Sequence, residues 1–270
     1  MKRFVIPTNK NKSSIVCSAI EDYIPKIKDN SIQLILTSPP YNVDLGNNKY
    51  NKSPYDLYND NKEHSEYISW LRDIFSRLYP KLCKGGRVVI NVGDGKNGAI
   101  PTSSDVIQFM CHDIGYLPLT HIIWNKNQVS NRAAWGSFCS PSSPSFPMPF
   151  EHILVFCKES KKLYSTNTVS DLTKEEFIKY TNPLWVFAPE KRLKVFGHPA
   201  MFPEELAERC IKMFTYVGDR VLDPFNGAGT TTYVANKLNR LYTGVDISPE
   251  YCKLAKERIE QCQKDLAKTK

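Results

Sequence analysis

No apolar run in this 270-residue chain approaches the ~20 residues that cross a bilayer, and the longest uninterrupted stretches, such as residues 153–157, are strand-sized. The basic opening Met1-Lys2-Arg3 is not followed by an apolar core, so a secretory leader is not expected. No CxxC pair occurs: the eight cysteines, at 17, 83, 111, 139, 157, 210, 252 and 262, are never fewer than ten positions apart. That spacing excludes the common zinc and dithiol redox motifs. The five histidines (64, 112, 121, 152 and 198) show no metal-ligand spacing, so no metal is expected. Cys83, Cys111 and Cys157 lie in apolar or helical contexts and read as reduced thiols of a cytoplasmic protein. Internal repeats and low-complexity arrays are absent as well.

What is present is a globular composition with a basic tilt. Hydrophobic residues make up 41% and charged residues 24%, and the net charge is +8. The length suits one large domain or one domain carrying an insertion, with a core that needs no disulfide or metal staple. The positive excess favours a polyanionic partner without demanding one.

Short apolar runs at residues 14–17, 33–36, 86–92, 120–124, 152–156, 220–222 and 242–245 read as seven buried strands. Between them lie helical periodicities. Residues 65–83 place Tyr67, Ile68, Leu71, Ile74, Phe75, Leu78 and Leu82 three and four apart. Residues 103–113, 203–214, 230–238 and 249–262 behave similarly, and Ser248-Pro249 reads as an N-cap followed by a first-turn proline. Strands alternating with helices predict an α/β doubly wound, mostly parallel sheet of seven strands. Two stretches break the alternation. Residues 43–63 are rich in Asn, Lys, Tyr and Asp, and residues 125–150 carry Pro141, Pro144, Pro147 and Pro149. Residues 158–194 follow with eight basic and five acidic side chains. Such segments are either solvated connections or substrate-facing additions carried by the sheet.

Two motifs stand directly after strands, where open α/β sheets bind their ligands. The first is Thr37-Ser38-Pro39-Pro40-Tyr41-Asn42. Its prolines stiffen the turn and donate no hydrogen bond. The Pro39 carbonyl and the Ser38 hydroxyl are therefore available as acceptors, and Tyr41 offers an aromatic face. In isolation the run would pass as a plain Pro-Pro turn. The second is Asp223-Pro224-Phe225-Asn226-Gly227-Ala228-Gly229-Thr230-Thr231, opening a helix. Gly227 and Gly229 permit close approach to the backbone, and the helix N-terminus favours an anionic group. Asp246 follows Gly229 by 17 positions at the end of the next strand, where a carboxylate can grip a ribose diol. A phosphate-binding P-loop would need lysine before Thr230, and Gly229 stands there. A third run, Gly93 to Gly98, fits GxGxxG formally, but no acid ends a following strand at the right distance, since Asp113 lies in a helical stretch.

Taken together the two main motifs resemble the β-class amino-group DNA methyltransferases. In that family an (S/D/N)PP(Y/F) motif precedes a target-recognition insertion and an FxGxG motif comes late. Here Ser38-Pro39-Pro40-Tyr41 comes first and Phe225-Asn226-Gly227-Ala228-Gly229 late. The matches extend to residues 85–94, Ala134-Trp135-Gly136-Ser137 and His198-Pro199-Ala200-Met201-Phe202-Pro203, so nearly the whole chain is covered. The resemblance implies one methyltransferase domain over residues 1–270 in circularly permuted motif order, with a target-recognition insertion at about 125–197. It implies S-adenosylmethionine as methyl donor, duplex DNA as partner, and base flipping. It assigns Ser38, Pro39, Pro40 and Tyr41 to catalysis, and Asp223, Phe225, Asn226, Gly227, Gly229, Thr230 and Asp246 to the cofactor. By the same analogy Gly93 and Gly95 belong to a post-strand loop. One departure stands out: the acidic residue the family usually carries after its first strand is replaced by Ser18-Ala19, with Glu21 or Asp22 as substitutes or a backbone contact only.

An exocyclic amino nitrogen is a weak nucleophile because its lone pair is conjugated into the ring. Acceptors on its hydrogens pull it towards tetrahedral geometry. Ser38 and the Pro39 carbonyl suit this role, with Tyr41 stacking the base. Carbon-5 methylation of cytosine uses a Pro-Cys nucleophile, and no Pro-Cys dipeptide occurs. Serine at the first motif position goes with cytosine N4 in the family and aspartate with adenine N6, so N4 of cytosine is the expected target and adenine N6 the alternative. An RNA or protein methyltransferase, or a silent DNA-binding module, are more distant readings. Asn47 and Lys49 in the loop after the catalytic motif, with Lys126, Asn127, Asn131, Arg132 and Lys158 in the insertion, are expected to touch DNA; Lys161 and Lys162 read as a solvated face. No nuclease motif is recognisable, so a cognate restriction endonuclease would be a separate polypeptide. Oligomeric state and target sequence are not legible.

Overall fold

The computed structural model describes residues 2–5, 13–42, 62–127, 136–190 and 201–268. In chain order the elements begin with β1 (Lys2–Val5), β2 (Ser14–Cys17), a four-residue helix α1 (Ile20–Tyr23) and β3 (Ile32–Thr37). Then come α2 (His64–Leu78), β4 (Leu82–Val92), α3 (Thr102–Gln108), β5 (Leu117–Asn125) and β6 (Phe150–Cys157). The remainder is α4 (Lys174–Tyr180), β7 (Leu184–Val186), α5 (Glu204–Phe214), β8 (Arg220–Asp223), α6 (Thr230–Lys237), β9 (Leu241–Asp246) and α7 (Pro249–Lys268).

All nine strands join one sheet in the order β1-β2-β9-β8-β3-β4-β6-β5-β7. The seven expected strands are present; β1 and β7, of four and three residues, are additional. Strands β2, β9, β8, β3 and β4 pair in parallel, whereas β6 lies antiparallel between β4 and β5. The helix expected over 65–83 stops at Leu78, because Pro80 converts its end into a 3-10 turn (Tyr79–Lys81) and β4 begins at Leu82.

Successive strand residues feed opposite faces, as the pleat requires. Leu34 and Leu36, Val89, Ile153 and Val155, and Val221 pack with Leu206, Ile211, Val234, Ala255 and Ile259 of α5, α6 and α7. Ile35, Val88 and Ile90, Leu154 and Phe156, and Leu222 pack with Tyr67, Leu71, Phe75, Val106 and Phe109 on the other side. Two apolar layers on one sheet account for the continuous apolar runs of the sequence.

The winding reverses between β3 and β8. From β3 the chain crosses through α2 to β4, and from β8 through α6 to β9 on the opposite face. Loops leaving these adjacent strands therefore diverge and leave a crevice at their carboxyl ends. The pair is stitched there by Thr37, whose Oγ1 donates to Asp223 Oδ1 at 2.7 Å. Burial pushes the Asp223 carboxyl up to about 6, even with hydrogen bonds from Thr231, Thr37 and the Phe225 N–H favouring its charged form.

The stretch 125–197 contains β6 and β7, so much of it belongs to the sheet. Its tail is tied to the core. Arg240, whose side chain is fully buried, donates to Asp171 from Nη1 at 2.5 Å and Nη2 at 2.7 Å, and to the Thr215 and Leu238 carbonyls. Arg209 of α5 stacks over Trp185 and Phe187, at 5.0 and 4.7 Å from the ring centroids, which seats β7.

Removing Asp171 would strand a buried guanidinium. Asp171→Ala is expected to cost about 3 kcal/mol in urea unfolding, and Asp171→Leu combined with Arg240→Met to recover most of it. For Asp223, a folded-state value above the unfolded one means that stability is lost as pH rises from about 4 through 6. Relative to wild type, Asp223→Asn is expected to gain up to about 3 kcal/mol between pH 4 and pH 7, read from urea melts at both pH values.

Candidate active site

A cavity of about 480 Å³ opens at the reversal point. Ser38, Pro39, Pro40 and Tyr41 line one wall, and Asp223, Pro224, Phe225, Asn226, Gly227, Ala228, Thr230 and Asp246 another. Topology has thus brought both sequence motifs to one space.

The cofactor-motif side is built by the β8–α6 loop. Gly227 and Gly229 adopt φ of 47° and 82°, in the left-handed region. A side chain at Gly229 would also collide with Ala255, 2.6 Å from the position of a Cβ; this glycine shapes the loop rather than lining the cavity. Asp246 Oδ2 accepts from the Gly227 N–H at 2.7 Å and Oδ1 from the Ser248 N–H at 2.9 Å. A carboxylate oxygen accepts more than one hydrogen bond, so these backbone contacts are compatible with holding a diol. Asn226 is buried; its Oδ1 accepts from Thr232 at 2.9 Å, while its Nδ2 has no partner among the described residues. Phe225 packs against Trp70 at 5.4 Å between ring centroids, and Ile247 adds apolar surface to the cavity. A carboxylate at a strand end, left-handed glycines and an apolar wall fit a nucleoside with a charged tail. Ser18 and Ala19 line the same space, and the Ser18 N–H donates to the Asp246 carbonyl at 2.9 Å. Glu21 also reaches it and accepts from Trp70 Nε1 at 2.6 Å.

The other wall is a polar network. Ser38 Oγ lies 3.1 Å from the Asn91 carbonyl and 3.2 Å from Tyr41 Oη. Tyr41 Oη donates to Glu151 Oε2 at 2.9 Å. Asn91 Nδ2 donates to the same oxygen at 2.6 Å and reaches Tyr41 Oη at 3.0 Å. Lys126 pairs with Glu151 Oε1. Asn91 ends near the carboxyl edge of β4, and Glu151 starts the antiparallel β6 opposite it, so both arrive at the crevice by register. Sequence reasoning passed over Asn91 and Glu151; the available signal was a polar residue breaking an apolar strand just where that strand reaches the ligand edge.

Of the residues expected to touch DNA, Lys126 sits inside the cavity on Glu151, and Asn127 beside it is exposed with φ 50°. Asn47, Lys49, Asn131 and Arg132 fall outside the described residues, as do Ala134, Trp135 and residues 198–200. Met201 and Phe202, in that last segment, line the cavity. Lys158, expected on the DNA side, is instead buried, and its Nζ donates to Asn30 Oδ1 and the Leu82 carbonyl, both at 3.0 Å. The Gly93–Gly98 run is a tight post-strand loop: Gly95 bridges to Ile100, and Asp94 accepts from Ser103 N and Oγ. No cluster of three metal-ligating side chains occurs among the described residues, all eight cysteines are free thiols, and no described helix is long and apolar enough to cross a membrane.

A family model described as DNA methylase matches residues 32–257. The chain is 30% identical to the type II methyltransferase M.MjaI of Methanocaldococcus jannaschii over 271 aligned positions, covering 89% of each protein. It is 39% identical to M.MjaVI of the same organism over 168 residues, 62% of this chain and 81% of that one. Among solved structures, a Thermus thermophilus protein described as a putative DNA modification methylase, crystallised with S-adenosyl-L-methionine, superposes with a TM-score of 0.70 at 30% identity, covering 92% of this chain and 93% of that one. The cytosine-N4-specific PvuII DNA methyltransferase shares the fold, with a TM-score of 0.68 at 20% identity over 94% of this chain and 92% of its own. With most of its length matched by the family model, this chain belongs to the N6/N4 DNA methylase family.

Proposed function

We propose that the protein transfers a methyl group from S-adenosylmethionine to the exocyclic N4 of cytosine in duplex DNA, as the modification half of a restriction–modification pair. The observation that carries this reading is the meeting of the Ser38–Tyr41 turn and the Asp223–Asp246 wall around one cavity. S-adenosylmethionine supplies a methyl group on an electrophilic sulfonium. Asp246 holds the ribose hydroxyls. Phe225, Asn226, Gly227 and Thr230 surround the rest of the cofactor; Gly229 keeps the loop open by its φ, and Asp223 braces the loop from beneath. Ser38 Oγ and the Pro39 carbonyl accept from the two amino hydrogens of the target base and localise its lone pair. Pro40 stiffens the turn, and the Tyr41 ring supplies a stacking face while its hydroxyl is anchored on Glu151. In-line positioning of nitrogen and methyl then supplies most of the acceleration.

The target amino group is inaccessible in a stacked duplex, so the base is extruded into the cavity. Residues within 125–197, with Asn127 and Arg132, and Asn47 and Lys49 after the catalytic turn, contact the DNA. Serine rather than aspartate at position 38 favours cytosine over adenine.

Incubation with duplex DNA and S-adenosylmethionine, followed by nucleoside identification, is expected to yield N4-methylcytosine in one sequence context. N6-methyladenine would overturn the choice of base, and modification of RNA alone the choice of substrate. Ser38→Ala is expected to lower kcat about 100-fold while cofactor affinity holds; unchanged turnover would refute its catalytic role. Asp246→Ala is expected to weaken cofactor binding about 10-fold or more by calorimetry, through loss of charge-assisted hydrogen bonds.

A further inference from the structure

The geometry points to Glu151 as a positioning residue that sets the direction of the hydrogen bonds around Ser38. This rests on the catalytic reading of Ser38 and Tyr41 given above. A carboxylate only accepts. Glu151 side-chain exposure is 10%, Lys126 occupies Oε1, and both Tyr41 Oη and Asn91 Nδ2 converge on Oε2 at 2.9 and 2.6 Å. The tyrosine proton is therefore drawn to Glu151, and the Tyr41 oxygen is left as an acceptor. Ser38 has one proton and two neighbours, Tyr41 Oη and the Asn91 carbonyl, at 3.2 and 3.1 Å. Both accept. The serine proton thus points into the protein, and its lone pairs remain for the amino hydrogens of the substrate.

The same carboxylate fixes the Asn91 amide. Its Nδ2 faces Glu151, and its Oδ1 is left buried without a partner among the described residues. A lone orphaned acceptor is costly, and here it accompanies an orientation that keeps Nδ2 beside the phenol. Were position 151 a donor, Tyr41 would turn its hydroxyl towards Ser38. One serine lone pair would then be consumed, and the acceptor that localises the nitrogen lone pair would weaken.

Glu151→Gln creates that situation. Lys126 would hold the amide oxygen, leaving the amide NH₂ to face Tyr41 and Asn91. The expected result is a kcat lowered about 10-fold or more at saturating DNA, with S-adenosylmethionine affinity within about twofold of wild type. In a Tyr41→Phe background, where the phenol is gone, Glu151→Gln should cost less than about threefold further. Adding Lys126→Met to Glu151→Gln frees the amide to turn its oxygen to Tyr41, so kcat should rise severalfold over the single variant. A kcat for Glu151→Gln within about twofold of wild type would overturn the inference, as would losses that multiply in the Tyr41→Phe background. If Glu151→Gln fails to fold, the double variant with Lys126→Met carries the test; loss of folding there too would assign Glu151 a structural role and refute the proposal. Ser38→Ala run alongside separates the two failures: full activity in that variant sinks the catalytic reading itself, whereas its inactivity beside a fully active Glu151→Gln sinks only the positioning role.

Discussion

The parallel pairing of β3 with β8 joins two halves of the sheet that wind away from each other, one through α2 and the other through α6. Neither half alone makes a ligand site. The diverging connections leave a crevice at the strand ends, and the residues of both motifs reach it from the strands around that seam. The Thr37–Asp223 hydrogen bond closes the seam just beneath the cavity. Asp223 is part of a sequence motif that resembles a ligand-binding one, yet it is 2% exposed and spent on Thr37 and the Phe225 N–H.

Three carboxylates of the cavity occupy three environments. Asp223 lies in the sheet, and burial raises it. Asp246 sits at the mouth with one backbone N–H on each oxygen, which fixes its rotamer against the cofactor-motif loop. Glu151 is held between a lysine, a phenol and an amide. A similar functional group thus meets three different sets of partners around one cavity.

The doubly wound sheet was legible because its strands are buried on both faces and read as unbroken apolar runs, while α2 and α5 show clean periodicity. The Ser38–Tyr41 and Phe225–Gly229 motifs were legible because turn chemistry and glycine placement are local. Glu151 and Asn91 were not, since their importance depends on β6 running antiparallel beside β4, a pairing set by contacts between strands distant in sequence. At the Ser18-Ala19 departure, a backbone hydrogen bond to Asp246 and the reach of Glu21 into the cavity are placements that side-chain identity does not encode.

The seam also has a consequence for how the chain comes together. Thr37 and Asp223 are 186 positions apart, yet their strands are neighbours at the centre of the sheet. During synthesis β3 can pair with β4 as soon as β4 is made, but its other edge, carrying Leu34 and Ile35, stays open until β8 emerges. From the completion of β4 at Val92 to the emergence of β8 at Arg220 the growing protein presents an unpaired, largely apolar strand edge. That exposes it to self-association, and the high sequence separation slows closure. The same chain order that unites the two motifs at the crevice makes the middle of the sheet the last part to be completed.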